Sequence, residues 1–234
     1  MPSNADPLST TQIGTIWDWD GIIIDSARQH EESWHLLAKE IDVPMTHDMF
    51  VESFGMKNTV IIPELFQWCA PDDTKRVAEL GDRKESLYRD IVRRDGITSL
   101  PGVIDILSAL KTEGVPCSVG SSTPRENIEC IIDLAGLSGF FSAITAAEDV
   151  SRGKPDPEVF LVAAQKIDRD PAHCVVFEDA HVGIQAGLAA GMKTVAVATT
   201  HPEDSFPEAH LSIPSLTQIN LPTLLALFGD SASD

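Results

Sequence analysis

Cysteine is scarce in this chain: Cys69, Cys117, Cys130 and Cys174 are the four in 234 residues, and no Cys-x-x-Cys occurs. That argues against a disulfide framework or a thiolate zinc site. It predicts reduced thiols, three of them in apolar segments, of a cytoplasmic protein. Basic residues are also few: 17 Lys and Arg stand against 36 Asp and Glu, a formal charge of -19. Such a chain repels nucleic acid and anionic membranes, so neither is an expected partner. No apolar run approaches the roughly 20 residues of a membrane-spanning helix. The opening MPSNADPLSTT has no basic stretch followed by an apolar one, which predicts no signal peptide. Repeats and low-complexity tracts are missing, and disorder is expected at residues 1 to 11 and 229 to 234. The remainder is ordinary globular composition, 43% hydrophobic and 23% charged, long enough for one large domain or a domain plus an insert.

The chain is organised around Thr15 to Ser26, TIWDWDGIIIDS. The apolar run Ile13 to Trp17 reads as a buried strand that ends in Asp18-Trp19-Asp20-Gly21. Side chains at i and i+2 of an extended segment point to the same side, so Asp18 and Asp20 share a face where the strand runs out. Gly21 permits a sharp turn or close approach of a ligand. Paired carboxylates there repel each other and lose hydration, which calls for a proton or a cation, and a divalent cation with oxygen ligands suits. Taken alone, the pair reads as well as solvated loop acids.

From Ala27 to Asp95 the apolar spacing is helical and no strand pattern appears. Trp34, Leu37 and Ile41 mark a first helix, stopped by Val43-Pro44. Thr46 is expected to cap a second, with Met49, Phe50 and Phe54 apolar. A loop through Gly55 to Asn58 follows, then a helix over Thr59 to Trp68. Pro71 is expected to start a long helix striped by Val77, Leu80, Leu87, Tyr88, Ile91 and Val92. From Ile97 strands and helices alternate. Strands are expected at Val115 to Gly120, Ala143 to Ala146, Cys174 to Phe177 and Thr194 to Ala198. Thr123 and Pro124 are expected to cap and open the helix that runs to Gly136. Nearly continuous apolar strands in this alternation predict an α/β fold, a Rossmann-like parallel sheet with helices on both faces. The predicted domains are a core of residues 1–28 and 97–234 and a helical insert of 29–96.

Open parallel sheets place ligands beyond the carboxyl ends of their strands. Asp18 and Asp20, Ser121, Lys154, and Glu178-Asp179 all fall at strand ends or in the loops just after them. Each has a plain alternative: Ser121 as a helix-capping hydroxyl, Lys154 as a surface lysine, Glu178-Asp179 as acids that suit a helix dipole. Together they compose a phosphoryl-transfer site, in which acids hold a cation, a lysine and a hydroxyl hold phosphate oxygens, and the helix start near Thr123 offers backbone N–H groups.

These motifs, in this order and spacing over about Ile13 to Ala198, resemble the haloacid dehalogenase superfamily, in the branch of β-phosphoglucomutase and small-metabolite phosphatases. The DxDG signature stands as Asp18-Trp19-Asp20-Gly21, the serine motif as Ser121, the lysine in Arg152-Gly153-Lys154-Pro155, and the acidic pair as Glu178-Asp179 before Gly183. The resemblance implies that the insert is a C1-type helical cap following the first strand. It implies Asp18 as nucleophile forming an aspartyl phosphate, and Asp20 as general acid and base. Mg²⁺ would be held by Asp18, the Asp20 carbonyl and Asp179, with Glu178 supporting or binding through water. Ser121 and Lys154, with the Ser122 backbone, would hold the transferring phosphoryl group. For this to work Asp18, Asp179 and Lys154 must converge in space.

Within that family the metal-binding acids argue against a dehalogenase. His30 matches a histidine that contacts the acid/base aspartate in the mutase, and bulky Ile22 leans the same way. Lys57 and Asn58 in the insert and Arg125 are further candidates for gripping the substrate. The mutase's arginine in the cap loop and its lysine after the serine motif are both missing, and Lys57 lacks an arginine's bidentate geometry. The expectation is therefore a Mg²⁺-dependent phosphatase of a small phosphorylated metabolite such as a sugar phosphate, as monomer or dimer. A phosphomutase is the alternative, and a non-catalytic Mg²⁺- and phospholigand-binding module is a third. Trp17 and Trp19 read as core packing. Trp34, Phe54 and Met56 read as core or as lining on the substrate side.

Overall fold

The computed structural model describes residues 8–53 and 56–229. The expectations for Phe54 and Gly55, and for most of both chain ends, lie outside the described residues. Residues 8–11 enter a turn in which the Ser9 carbonyl accepts from the Gln12 amide at 3.0 Å. The contacts divide the chain into two compact units, residues 1–25 with 98–234, and residues 26–97.

The first unit is a six-stranded sheet in the order β3-β2-β1-β4-β5-β6, parallel throughout. Its strands are β1 (Gly14–Trp17), β2 (Cys117–Gly120), β3 (Ala143–Thr145), β4 (Cys174–Glu178), β5 (Lys193–Val197) and β6 (Leu211–Ile213). The strands β1, β2 and β4 are buried along their whole length, which is why they read as continuous apolar runs. The unit's helices are α5 (Val103–Thr112), α6 (Arg125–Leu134), α7 (Glu158–Lys166), α8 (His181–Ala189) and α9 (Leu221–Ala226). Helix α7 packs on β1, β2 and β3, and α8 on β4 and β5. Ile16 and Val176 join Phe160, Ala163 and Ala186 in one apolar cluster of these layers. Trp17 pairs with Phe177 in register, and their rings stack at 3.9 Å. Such an aromatic pair adds roughly 0.5–1.5 kcal/mol beyond its area.

Two expected helix starts move. Thr123 does not cap α6: Pro124 takes the N-cap position, because the Thr123 hydroxyl is drawn to Asp20 instead. The strand β6 and helix α9 carry no sequence expectation. Cys117 and Cys174 are buried in strands, and all four cysteines are free.

The second unit is helical and lies in the chain between β1 and β2. It comprises α1 (Ala27–Glu40), α2 (His47–Ser53), α3 (Asn58–Val60) with a π turn at Ile61–Leu65, and α4 (Thr74–Asp95). Thr46 does cap α2, its hydroxyl accepting from the Met49 amide at 3.3 Å. The helix expected over Thr59 to Trp68 is instead α3 and the π turn. Pro71 does not start α4. Asp73 is its N-cap, accepting from the Arg76 amide at 3.0 Å, because a carboxylate satisfies an orphan amide that proline cannot. Trp34, Leu37, Phe50, Ile61, Leu80 and Leu87 form the apolar core.

A polar chain crosses that core. Lys84 and Glu85, on α4, are 3% and 7% exposed. The Lys84 ammonium lies 2.7 Å from His30 Nδ1 and 3.0 Å from Glu85 Oε1, and Glu85 accepts from Asn58 Nδ2 at 2.7 Å. The ammonium also stands over Trp34, 5.2 Å from the ring centre, and His30 stacks on Tyr88 at 4.0 Å. Burial, then the Lys84 charge, hold His30 down at about 3, against Glu85.

Removing the α4 cap with Asp73→Ala should lower the stability of the helical unit by about 1 kcal/mol, with Asp73→Ser restoring most of it. Equal stability of the Ala and Ser variants in denaturant would contradict the assignment. His30 gives a second expectation. The unfolded chain takes up this proton below about 6.5, the folded unit only near 3. Its contribution is therefore complete above pH 6.5 and declines as pH falls toward 3, by up to about 1.4 kcal/mol per unit. His30→Gln should flatten the stability profile between pH 6.5 and 5. Parallel profiles for the two proteins would contradict a neutral buried imidazole.

Candidate active site

Register builds the site. Trp17 pairs with Phe177 on one side and Val119 on the other, so the residues that follow leave the sheet side by side. Asp18 continues β1, its amide donating to the Phe177 carbonyl at 3.0 Å. Glu178 ends β4, with Asp179 next. Ser121 follows β2, its amide donating to the Thr145 carbonyl at 3.0 Å. Lys154 comes from the loop before α7.

The Lys154 ammonium lies 2.7 Å from Asp18 Oδ1 and 2.6 Å from Glu178 Oε1, and 4.9 Å from the centre of the Phe160 ring. Its side chain is 8% exposed and that of Glu178 1%, so solvent screens this bridge little. Burial alone would pull Lys154 down, but Asp18 and Glu178 outweigh it and the group stays charged. The other oxygen of Glu178 accepts from the Asp179 and Ala180 amides at 2.8 and 2.9 Å. Glu178 thus also satisfies amides of the turn that leads into α8. A Cβ on Gly183 would lie 1.8 Å from Glu178 Oε1, so only glycine leaves room for this carboxylate.

Asp18, Glu178 and Asp179 each offer an oxygen within 4.8 Å of the others, a possible metal-holding group among the described residues. Burial, and then Glu178 and Asp18, push Asp179 up to about 8. With all three ionised and Lys154 protonated, the cluster keeps two negative charges. One like-charge pair at about 4 Å costs roughly 4 kcal/mol at an effective dielectric of 20. An all-oxygen set with that surplus fits a hard divalent cation. Gly21 makes the cradle possible: its φ is +80°, and a Cβ there would meet Asp179 Oδ2 at 2.1 Å.

Asp20 has different surroundings. Its Oδ2 accepts from the Thr123 hydroxyl at 2.8 Å, and Thr123 in turn meets Ser121 Oγ at 3.2 Å. Ser121 Oγ also accepts from the Thr123 amide, which lies before α6, so the hydroxyl closes a local turn and does not cap the helix. The structure therefore brings together Asp18, Lys154, Glu178 and Asp179, and separately Asp20, Thr123 and Ser121. Ser122 is exposed in the turn after β2. Arg125 is compensated by its own unit: its guanidinium donates to Asp149 and, at 3.2 Å, to the Ile144 carbonyl. His30 and Asn58 take part in the polar chain of the helical unit, and Lys57 is exposed at the start of α3. Trp19 is fully buried against Phe141, as a packing residue, and Met56 is 41% exposed.

Sequence reasoning missed the loop after β5. Thr199 Oγ1 donates to the Gly21 carbonyl at 2.5 Å, and Thr200 Oγ1 lies 2.7 Å from Asp179 Oδ2. Two hydroxyl residues directly beyond a strand end were the available signal.

Replacing Lys154 with Met leaves Asp18 and Glu178 buried without their cation, a loss of about 3–5 kcal/mol for a broken buried pair. The melting temperature should fall sharply without metal and recover in part with saturating Mg²⁺. An unchanged midpoint in metal-free buffer would contradict the bridge.

Residues 15–191 match the haloacid dehalogenase-like hydrolase family. The chloroplastic 5-amino-6-(5-phospho-D-ribitylamino)uracil phosphatase of Arabidopsis thaliana is 34% identical over 212 residues, covering 89% of this chain, which spans only 56% of that protein. The β-phosphoglucomutase of Bacillus subtilis is 32% identical over 193 residues, 80% of this chain and 84% of that one. A solved HAD hydrolase (family IA, variant 3) from Entamoeba histolytica superposes with a TM-score of 0.80 at 26% identity, covering 93% of this chain and 99% of that one. With the family match running through every motif from Asp18 to Asp179, the chain belongs to the haloacid dehalogenase-like hydrolases.

Proposed function

We propose that this hydrolase is a Mg²⁺-dependent phosphatase of a small phosphorylated metabolite, working through an aspartyl phosphate. The observation that carries the reading is the buried Lys154 bridge between Asp18 and Glu178, beside Asp179. Asp18, Asp179 and the Asp20 carbonyl would hold the ion, with Glu178 behind them. When bound, Mg²⁺ supplies the positive charge that offsets both the acid cluster and an incoming phosphate dianion.

The carboxylate of Asp18 attacks phosphorus, and the bond to the ester oxygen breaks. Asp20 gives its proton to the leaving alkoxide, then takes one from the water that attacks the aspartyl phosphate, releasing phosphate and restoring Asp18. Thr123 orients the Asp20 carboxyl through its 2.8 Å hydrogen bond. Lys154 and Ser121 hold oxygens of the transferring group. Among their partners are the Lys154 ammonium for Asp18 and the Thr123 hydroxyl for Asp20. Such contrast is what separate nucleophile and acid roles require.

The β-phosphoglucomutase relative keeps one second reading in play. Against it, no lysine stands in Ser122-Thr123-Pro124-Arg125 after the serine motif, and Arg125 is already compensated.

Assaying phosphate release over a broad panel of phosphometabolites with Mg²⁺ should find a substrate, and Asp18→Asn should lower its turnover by at least about 10³-fold. Rapid isomerisation of β-glucose 1-phosphate with a bisphosphate primer, and little free phosphate, would favour the mutase. Mg²⁺-dependent binding of esters with no turnover anywhere would sink both.

A further inference from the structure

We infer that Thr200 is a positioning residue for the cation, fixing the Asp179 carboxylate through its hydroxyl; the inference rests on the ion site proposed above. Thr200 follows β5, whereas Asp179 follows β4. Its Oγ1 lies 2.7 Å from Asp179 Oδ2, 2.8 Å from the Asp179 carbonyl and 2.9 Å from His201 Nδ1. A hydroxyl has one hydrogen, and once a cation holds Asp179 ionised, as the proposed site requires, its carboxylate is the stronger acceptor. The hydrogen therefore goes to Oδ2, and the carbonyl is left to His201 Nδ1, 3.1 Å away. His201 is itself propped against His181 and Phe206, with ring centres at 5.0 and 5.8 Å.

Thr199 strengthens the argument. Its hydroxyl donates to the carbonyl of Gly21, the residue on which the Asp179 carboxylate rests. Consecutive threonines thus tie both walls of the cradle to the end of β5. One reaches the turn after Asp18 and Asp20, the other the carboxylate from β4. With Oδ2 held by Thr200, the Asp179 carboxylate has little rotational freedom to lose on binding the ion. Hydrogen-bond partners of metal ligands work in this way, orienting the ligand without touching the metal.

The test is equilibrium binding of Mn²⁺ to the full-length protein, read from the electron paramagnetic resonance of the free ion, for Thr200→Val, Thr200→Ala, Thr200→Ser and Asp179→Asn. The Val and Ala variants should weaken Mn²⁺ binding by about 10- to 100-fold, and Ser should stay within about threefold of the wild type. In turnover, Val should raise the metal concentration needed for half-activation while kcat at saturating metal recovers. Mn²⁺ affinity of the Val and Ala variants within about threefold of the wild type, with Asp179→Asn impaired, would overturn the role of Thr200 and leave the ion site standing. A Ser variant as weak as Val would overturn it too, since the hydroxyl would not be what matters. Wild-type affinity in Asp179→Asn would overturn the ion site and the inference with it.

Discussion

Lys154 sits between two carboxylates that arrive from different strands, Asp18 from β1 and Glu178 from β4. Neither acid would be stable there alone, because each is withdrawn from water and lies within 4.8 Å of the other and of Asp179. The ammonium offsets part of the repulsion and leaves a surplus that a divalent cation is suited to take. The rest of the core unit can be understood as the scaffold that delivers these four groups. A parallel register places Asp18 beside Glu178, the Trp17–Phe177 stack stiffens the strand pair beneath them, and Gly21 and Gly183 vacate the space that the carboxylates fill.

The same scaffold separates two aspartates only two residues apart. Asp18 ends in the company of an ammonium, while Asp20, past the end of β1, meets the hydroxyl pair Thr123 and Ser121 beyond β2. Strand order β2-β1-β4 therefore assigns each acid its own neighbour. A polar chain in the helical unit shows a related economy: Lys84, Glu85, His30 and Asn58 satisfy one another, so that charge is tolerated inside an apolar helical core.

Much of the core unit was legible in the chain, because fully buried strands leave continuous apolar runs and polar residues at their ends stand out against them. Asp18 and the Glu178-Asp179 pair stand at predicted strand ends, whereas Lys154 lies in a loop well past β3 and joins them only through the family resemblance. What stayed hidden depends on contacts between distant segments. Thr123 and Pro124 have the local chemistry of a helix start, yet the Thr123 hydroxyl is captured by Asp20, 103 positions earlier. Lys84 and Glu85 look like the solvated face of an amphipathic helix until His30 and Asn58 are placed beside them. Three-residue β6 is too short and too partly buried to make a periodic signal. Thr199 and Thr200 stand just beyond a strand end, a weak signal that names neither Gly21 nor Asp179 as their partners.

In the proposed mechanism a carboxylate oxygen of Asp18 receives the phosphoryl group. Acid quenching the Mg²⁺-loaded enzyme during turnover, followed by peptide mass spectrometry, addresses that directly. One phosphoryl group on the peptide containing Asp18, present only with Mg²⁺ and removed by hydroxylamine, is the predicted result. Turnover that leaves Asp18 unmodified, with the phosphoryl group trapped on another side chain, would contradict it.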